Sequence, residues 1–150
     1  MSLILLLDAG PLGMITNPRS SPESEACKNW LASTASNGAE VFIPEITDYE
    51  VRRELLRAGK TSGIGRLDAL RGLLGYLPIT TKAMLKAAEF WASARNMGRQ
   101  SASDASLDAD MILAAQTATL VRSGGEAVIA TTNVRHLALF VPARLWRDIG

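Results

Sequence analysis

A chain of 150 residues with 47% hydrophobic residues, 21% charged residues and a formal charge of +1 has the composition of one globular domain, which excludes a disordered chain. The near-neutral balance also excludes nucleic-acid binding by a whole-molecule field, so any such contact must come from a local patch. The single cysteine, Cys27, rules out an internal disulfide or a cysteine-built zinc site and fits a reducing compartment.

Leu3–Asp8 is a continuous apolar run that ends at Asp8-Ala9-Gly10-Pro11, a buried strand entering a turn. It is too short to span a bilayer, and neither a basic segment nor a small-residue cleavage site frames it, so a soluble, cytoplasmic protein without membrane contact is expected. Ser21-Pro22-Glu23 opens a helix, with Ser as cap and Pro in the first turn, and Asn37-Gly38 stops it. Val41–Ile43 is a second strand. A helix from Pro44 runs through Arg57 to Ala58-Gly59, and Ile64–Leu74 forms another. Tyr76–Ile79 reads as a strand, and Thr80 or Thr81 caps a helix that runs to Met97-Gly98. From Ser106 a further helix runs to Ser123-Gly124-Gly125, and its Met111–Ala115 stretch is apolar all round, hence buried. Ala127–Ala130 is a strand closing on Thr131-Thr132-Asn133, and Phe140–Ile149 supplies a last short strand and tail. Stretches 17–24 and 98–106 read as loops.

Short apolar strands separated by helices imply a single α/β domain over residues 1–150, a three-layer α/β/α sandwich around a mostly parallel sheet. Ligands of such sheets bind beyond the carboxyl ends of the strands, which directs attention to the polar residues there.

Asp8 closes the first strand, Glu50 follows the second, and Asp104, Asp108 and Asp110 crowd the start of the buried helix. Carboxylates converging at one sheet edge repel each other, so they either take up protons or hold a cation, and hard ions such as Mg²⁺ or Mn²⁺ suit oxygen donors. Each acid also has a plainer role. Asp8 can cap the helix or turn after its strand, and Asp104 and Asp108 can complement a helix dipole. Asp110 lies among Met111, Ile112 and Leu113, where a helix-end charge is a poor explanation. Glu50 shares a helix face with Ile46, Arg53 and Arg57, and on helix geometry alone a solvated Glu50–Arg53 pair accounts for it. The segment from Arg52 to Arg71 carries six basic residues against two acids, a local +4 in a chain of +1. A basic patch beside an acidic cluster suits a phosphate polymer meeting bound metal, although a solvated helix face would carry such charges too.

Other signals carry less. Gly59-Lys60-Thr61 lacks the first glycine and the preceding strand of a phosphate loop, and His136 has no Ser or Cys nucleophile to serve. Trp30, Trp91, Trp146 and Cys27 read as packing residues. A phospho-accepting receiver domain would need an early acid pair and a lysine ending the last strand, and both are missing.

With those residues placed, the chain resembles the PIN-domain family and, within it, the VapC-type toxin nucleases. The first motif is carried by Leu5–Leu12 with Asp8, the second by Ile43–Arg53 with Glu50, the third by Asp110–Ala115, and the fourth by Ile129–Asn133. Many relatives carry an acid three residues after this Asn, whereas His136 stands there here, and Asp108 or Asp104 would have to supply the missing carboxylate. The resemblance implies a ribonuclease that hydrolyses phosphodiester bonds of single-stranded RNA with Mg²⁺ or Mn²⁺. Asp8, Glu50 and Asp110 would be catalytic and metal-binding, joined by Asp108 and less firmly by Asp104 and Asn133, while Arg53, Arg57, Thr132 and Asn133 would bind substrate. It also implies a homodimer and an antitoxin partner. The competing expectation is a catalytically weakened module of the same fold that binds RNA or a protein.

Overall fold

The computed structural model describes residues 3–98, 104–120 and 126–150. Among them, five strands form one sheet, all parallel, in the order β3-β2-β1-β4-β5: β1 (Leu3–Leu7), β2 (Glu40–Pro44), β3 (Gly75–Leu77), β4 (Glu126–Thr131) and β5 (Ala143–Leu145). The helices are α1 (Ala9–Thr16), α2 (Pro22–Ser36), α3 (Glu45–Arg57), α4 (Thr61–Leu73), α5 (Thr81–Asn96) and α6 (Asp104–Ala118).

Alternation along the strands builds two cores. Leu5, Leu7, Val41, Ile43, Val128 and Ala130 face α1 to α4 and pack on Leu12, Cys27, Leu31, Leu55 and Leu67. Ile4, Leu6, Phe42 and Ile129 face the other way and pack on Ala109, Leu113 and Ala114 of α6. The result is the expected three-layer α/β/α arrangement, with α6 nearly covered by α5 and the sheet. Met111, Leu113, Ala114 and Ala115 are all at most 1% exposed, as their apolar surroundings in sequence require.

Strand order places the functional edge. The chain steps outward from β1 through β2 to β3, then crosses back to pair β4 on the opposite side of β1. The carboxyl ends of β1 and β4 therefore flank the switch point, where parallel α/β sheets leave a crevice for ligands.

The turn expected at Asp8–Pro11 is instead the start of a helix. Asp8 is the N-cap of α1, and Pro11 falls in the first turn, where a missing N–H is harmless. Burial of Leu12, Ile15 and Thr16 then carries the helix onward. The last strand is also shorter than expected, Ala143–Leu145, between single 3₁₀ turns at Leu137–Leu139 and Trp146–Asp148. The stop at Asn37-Gly38 is as expected, with Gly38 at φ 99°, a conformation that disfavours any side chain. The residues Ser123-Gly124-Gly125, expected to end α6, lie outside the described residues, as does part of the 98–106 loop.

α3 begins directly after β2 with no side-chain cap from Pro44. Its first turn is secured by buried Gln116 of α6, whose Oε1 accepts from the Ile46 N–H at 3.4 Å while its Nε2 donates to the Leu77 carbonyl at 2.8 Å. One amide thus ties α6 to α3 and to the end of β3. Gln116→Leu should leave both backbone groups without that partner and destabilise the fold by about 1–3 kcal/mol, read as a lowered denaturant midpoint at unchanged slope.

Candidate active site

Asp8 sits where β1 ends and α1 begins, and the neighbouring strand holds it. The register pairs Leu7 with Ala130, so Asp8 comes beside Thr131. The Thr131 hydroxyl donates to Asp8 Oδ2 at 2.7 Å, and the Ala9 N–H donates to Oδ1 at 2.8 Å. Burial raises the Asp8 pKa, and these two hydrogen bonds work against it.

Glu50 reaches the same edge from α3 and Asp110 from α6. Both are pushed up to about 7, each chiefly by burial. For Glu50 the next causes are the charges of Asp8 and Asp110, offset by Arg53. For Asp110 it is the charge of Asp8, offset by Arg135. Three acids separated by up to about a hundred positions in the sequence therefore feel one another's charge at the switch point.

The donor set fits a hard divalent cation: all oxygen, crowded and short of positive charge. Among the described residues, no three Asp, Glu, His or Cys side chains are gathered tightly enough to enclose an ion by themselves.

The structure does not bring every expected residue here. Asp108 lies two positions before Asp110, about 200° away around a helix. It is exposed in the cleft between α5 and α6 with Met84, Ala87, Trp91 and Ile112, so it does not replace the missing fourth acid. The side chain of Asp104 lies outside the described residues. His136, at the usual acidic position, is buried. Asn133 is exposed and shapes the loop after β4: its N–H donates to the Thr131 hydroxyl at 3.0 Å, and its Oδ1 accepts from the Arg135 N–H at 3.2 Å. Thr132 packs on the first turn of α1, where a Cβ on Gly10 would fall 2.5 Å from the Thr132 hydroxyl.

The basic segment is less free than its charge count suggests. Arg52 pairs with Asp48 and Asp68 at 2.8 Å each, and Arg71 stands 3.7 Å from the buried Asp48. Arg66 donates to the Asn17 carbonyl. Arg57 makes two hydrogen bonds to Glu54, at 3.0 and 2.8 Å, an exposed pair that a phosphate can displace at little cost. Arg53 lies over the Tyr49 ring, 5.1 Å from its centroid, and close enough to Glu50 to act on it. A cleft of about 270 Å³ runs from Glu50 along Val51, Glu54 and Arg57 to Lys60, with Ala9 and Gly13 of α1 as its opposite wall.

Two contributors escaped the sequence reading, Thr131 and Arg135. Thr131 had a signal: it ends the strand adjacent to β1 in a parallel register, which puts it level with Asp8.

Comparison with known families finds that the PIN domain profile matches residues 5–138. The chain belongs to the PIN-domain family. Comparison with curated protein sequences gives no match. Among solved structures, this PIN domain is similar in fold to a chain of VapBC2 from Rickettsia felis bound to a DNA fragment from their promoter, with TM-score 0.71, 15% identity, and 96% of this chain and 99% of that chain covered. It is also similar to a chain of VapBC-1 from nontypeable Haemophilus influenzae, at TM-score 0.68 and 16% identity, covering 97% and 99%. A third, Mycobacterium tuberculosis VapC20, described as a Sarcin-Ricin loop cleaving toxin, has TM-score 0.66 and 15% identity, covering 93% and 98%. No described helix of this PIN domain is long and apolar enough to cross a membrane.

The raised pKa values give the metal-free protein a signature. Glu50 and Asp110 bind protons more tightly folded than unfolded, where carboxyls titrate near pH 4. Between about pH 4 and pH 7 the folded state therefore holds more protons, and stability falls as pH rises through that window. In EDTA the melting temperature should decline from about pH 4 to about pH 7, more steeply than in Asp110→Asn. Equal slopes for the two proteins would contradict the shared charge.

Proposed function

We propose that this PIN domain is a metal-dependent endoribonuclease that hydrolyses phosphodiester bonds of single-stranded RNA. In the same reading it is the toxin of a toxin–antitoxin pair, a cytoplasmic homodimer of single-domain chains, whose antitoxin covers the acidic edge. The convergence of Asp8, Glu50 and Asp110 at the switch point, each with a raised pKa, is the observation that carries it. Their mutual repulsion is unfavourable in the isolated chain and is relieved by a cation, which makes a structural purpose for the trio hard to sustain. The chains of similar fold, one described as a Sarcin-Ricin loop cleaving toxin and others belonging to VapBC assemblies, support the substrate class and the partner.

Each residue then has a task. Asp8, aimed by Thr131 and Ala9, is the fixed carboxylate, with Glu50 and Asp110 completing the oxygen donors. A bound Mg²⁺ or Mn²⁺ supplies charge neutralisation on the phosphate and an acidified water. Arg53, beside Glu50, receives the phosphate next to the scissile bond, and Arg57 exchanges Glu54 for backbone phosphate along the cleft. Thr132 and Asn133 line the β4 side of the same edge and contact the ribose-phosphate.

A second reading is favoured by one observation: buried His136 and distant Asp108 leave the site an acid short of many relatives. In that case the domain binds RNA or a protein without cutting. Mn²⁺ titration followed by electron paramagnetic resonance separates the two, since only a working trio binds the ion. With Mn²⁺ or Mg²⁺, single-stranded RNA should be cleaved. EDTA should abolish the reaction, Asp8→Asn should lower the rate by about 100-fold or more, and Thr131→Val, which releases Asp8, by about 10- to 100-fold. Cleavage that survives EDTA or Asp8→Asn refutes the mechanism.

A further inference from the structure

Tyr49 is the most exposed aromatic side chain among the described residues, 57% accessible, and it immediately precedes Glu50 in α3. The other aromatics have packing work. Trp30 and Trp146 contact each other at 5.7 Å, and Phe90 and Phe140 stack at 4.5 Å. Phe42 is core, Tyr76 lies under Arg71, and Trp91 lines the α5–α6 cleft. Tyr49 packs into neither core cluster, so burial does not explain an aromatic at this position.

Its setting does. Arg53 is one helical turn from Tyr49, an i,i+4 neighbour, and three positions from Glu50, so one guanidinium is within reach of both the ring and the carboxylate. The Arg53 guanidinium lies 5.1 Å from the Tyr49 ring centroid. Leu56, also exposed on α3, follows Tyr49 by seven positions, two turns along the same face, and Arg52 and Arg53 stand between them, so the nearest α3 neighbours of the ring on that side are guanidiniums. A nucleic acid would find a flat surface and a cation, the pairing that proteins use to hold unstacked bases while neutralising the phosphate beside them.

We propose that Tyr49 is a base-stacking platform: the base next to the phosphate at the acid cluster lies on the Tyr49 ring, and Arg53 bridges that ring and the phosphate. This deepens the ribonuclease reading and rests on it. Stacking recognises the π-face of any base, so the platform positions the strand without choosing its sequence.

The test compares wild type, Tyr49→Phe and Tyr49→Ala on single-stranded RNA oligonucleotides, intact or with one abasic nucleotide scanned across both sides of the mapped cleavage point. Tyr49→Ala should raise KM by about tenfold with kcat little changed, and Tyr49→Phe should behave as wild type. One abasic position should cost the wild type about the same factor while costing Tyr49→Ala nothing, because the lost base and the lost ring are the same contact. If wild type cleaves and Tyr49→Ala matches it in KM, the platform is refuted and the ribonuclease reading stands. Independent losses from the abasic nucleotide and the Ala variant also refute it, since the ring would then act only through Arg53. If wild type neither cleaves nor binds the oligonucleotides, the ribonuclease reading fails, and the platform with it.

Discussion

Three carboxylates brought to one edge of a parallel sheet are first of all an electrostatic problem. Burial raises each pKa and, with a smaller push from the neighbouring carboxylates, takes Glu50 and Asp110 up to about 7. Among the described residues, the charged groups that act on these acids do not cancel that charge. Arg53 and Arg135 only moderate it, and Thr131 and Ala9 orient Asp8 without adding positive charge. The packing of both cores is what keeps the three acids close despite their repulsion.

Those cores explain why the acids stand where they do. Leu5 and Leu7 on one side and Ile4 and Leu6 on the other bury the last four residues of β1, and Asp8, the next residue, emerges at the rim. α3 straddles the edge, with Ile46 in one cluster and Val51 and Leu55 in the other, which leaves Glu50 facing the crevice. α6 is sealed by Met111, Leu113, Ala114 and Ala115 and carries Asp110 at the margin of that seal. Hydrophobic patterning thus sets the positions of the polar residues.

Asp8 and Asp110 stood out in the sequence because each adjoins an apolar run in which an acid is out of place, whereas Glu50, which helix geometry alone assigns to a solvated pair with Arg53, was drawn in by the basic segment that follows it and by the resemblance. The three-layer architecture was legible from strands too apolar to have a wet face. What stayed hidden depends on contacts between distant segments. Thr131 is an unremarkable threonine until the β1–β4 register sets it beside Asp8. α1 was concealed because Gly10-Pro11 reads as a turn unless Asp8 is known to be a cap. The basic segment overstated its free charge because Asp48, buried beneath Arg52 and Arg71, claims two of its guanidiniums. Asp108 and Asp110 look paired in the sequence, yet a helix turns them to opposite sides.

Gln116 has a wider consequence. Its side chain joins the start of α3 to α6 and to the tip of β3, and so joins the supports of Glu50 and Asp110. Local fluctuations that loosen one support must strain the other, so the geometry of the acidic edge should persist or be lost cooperatively.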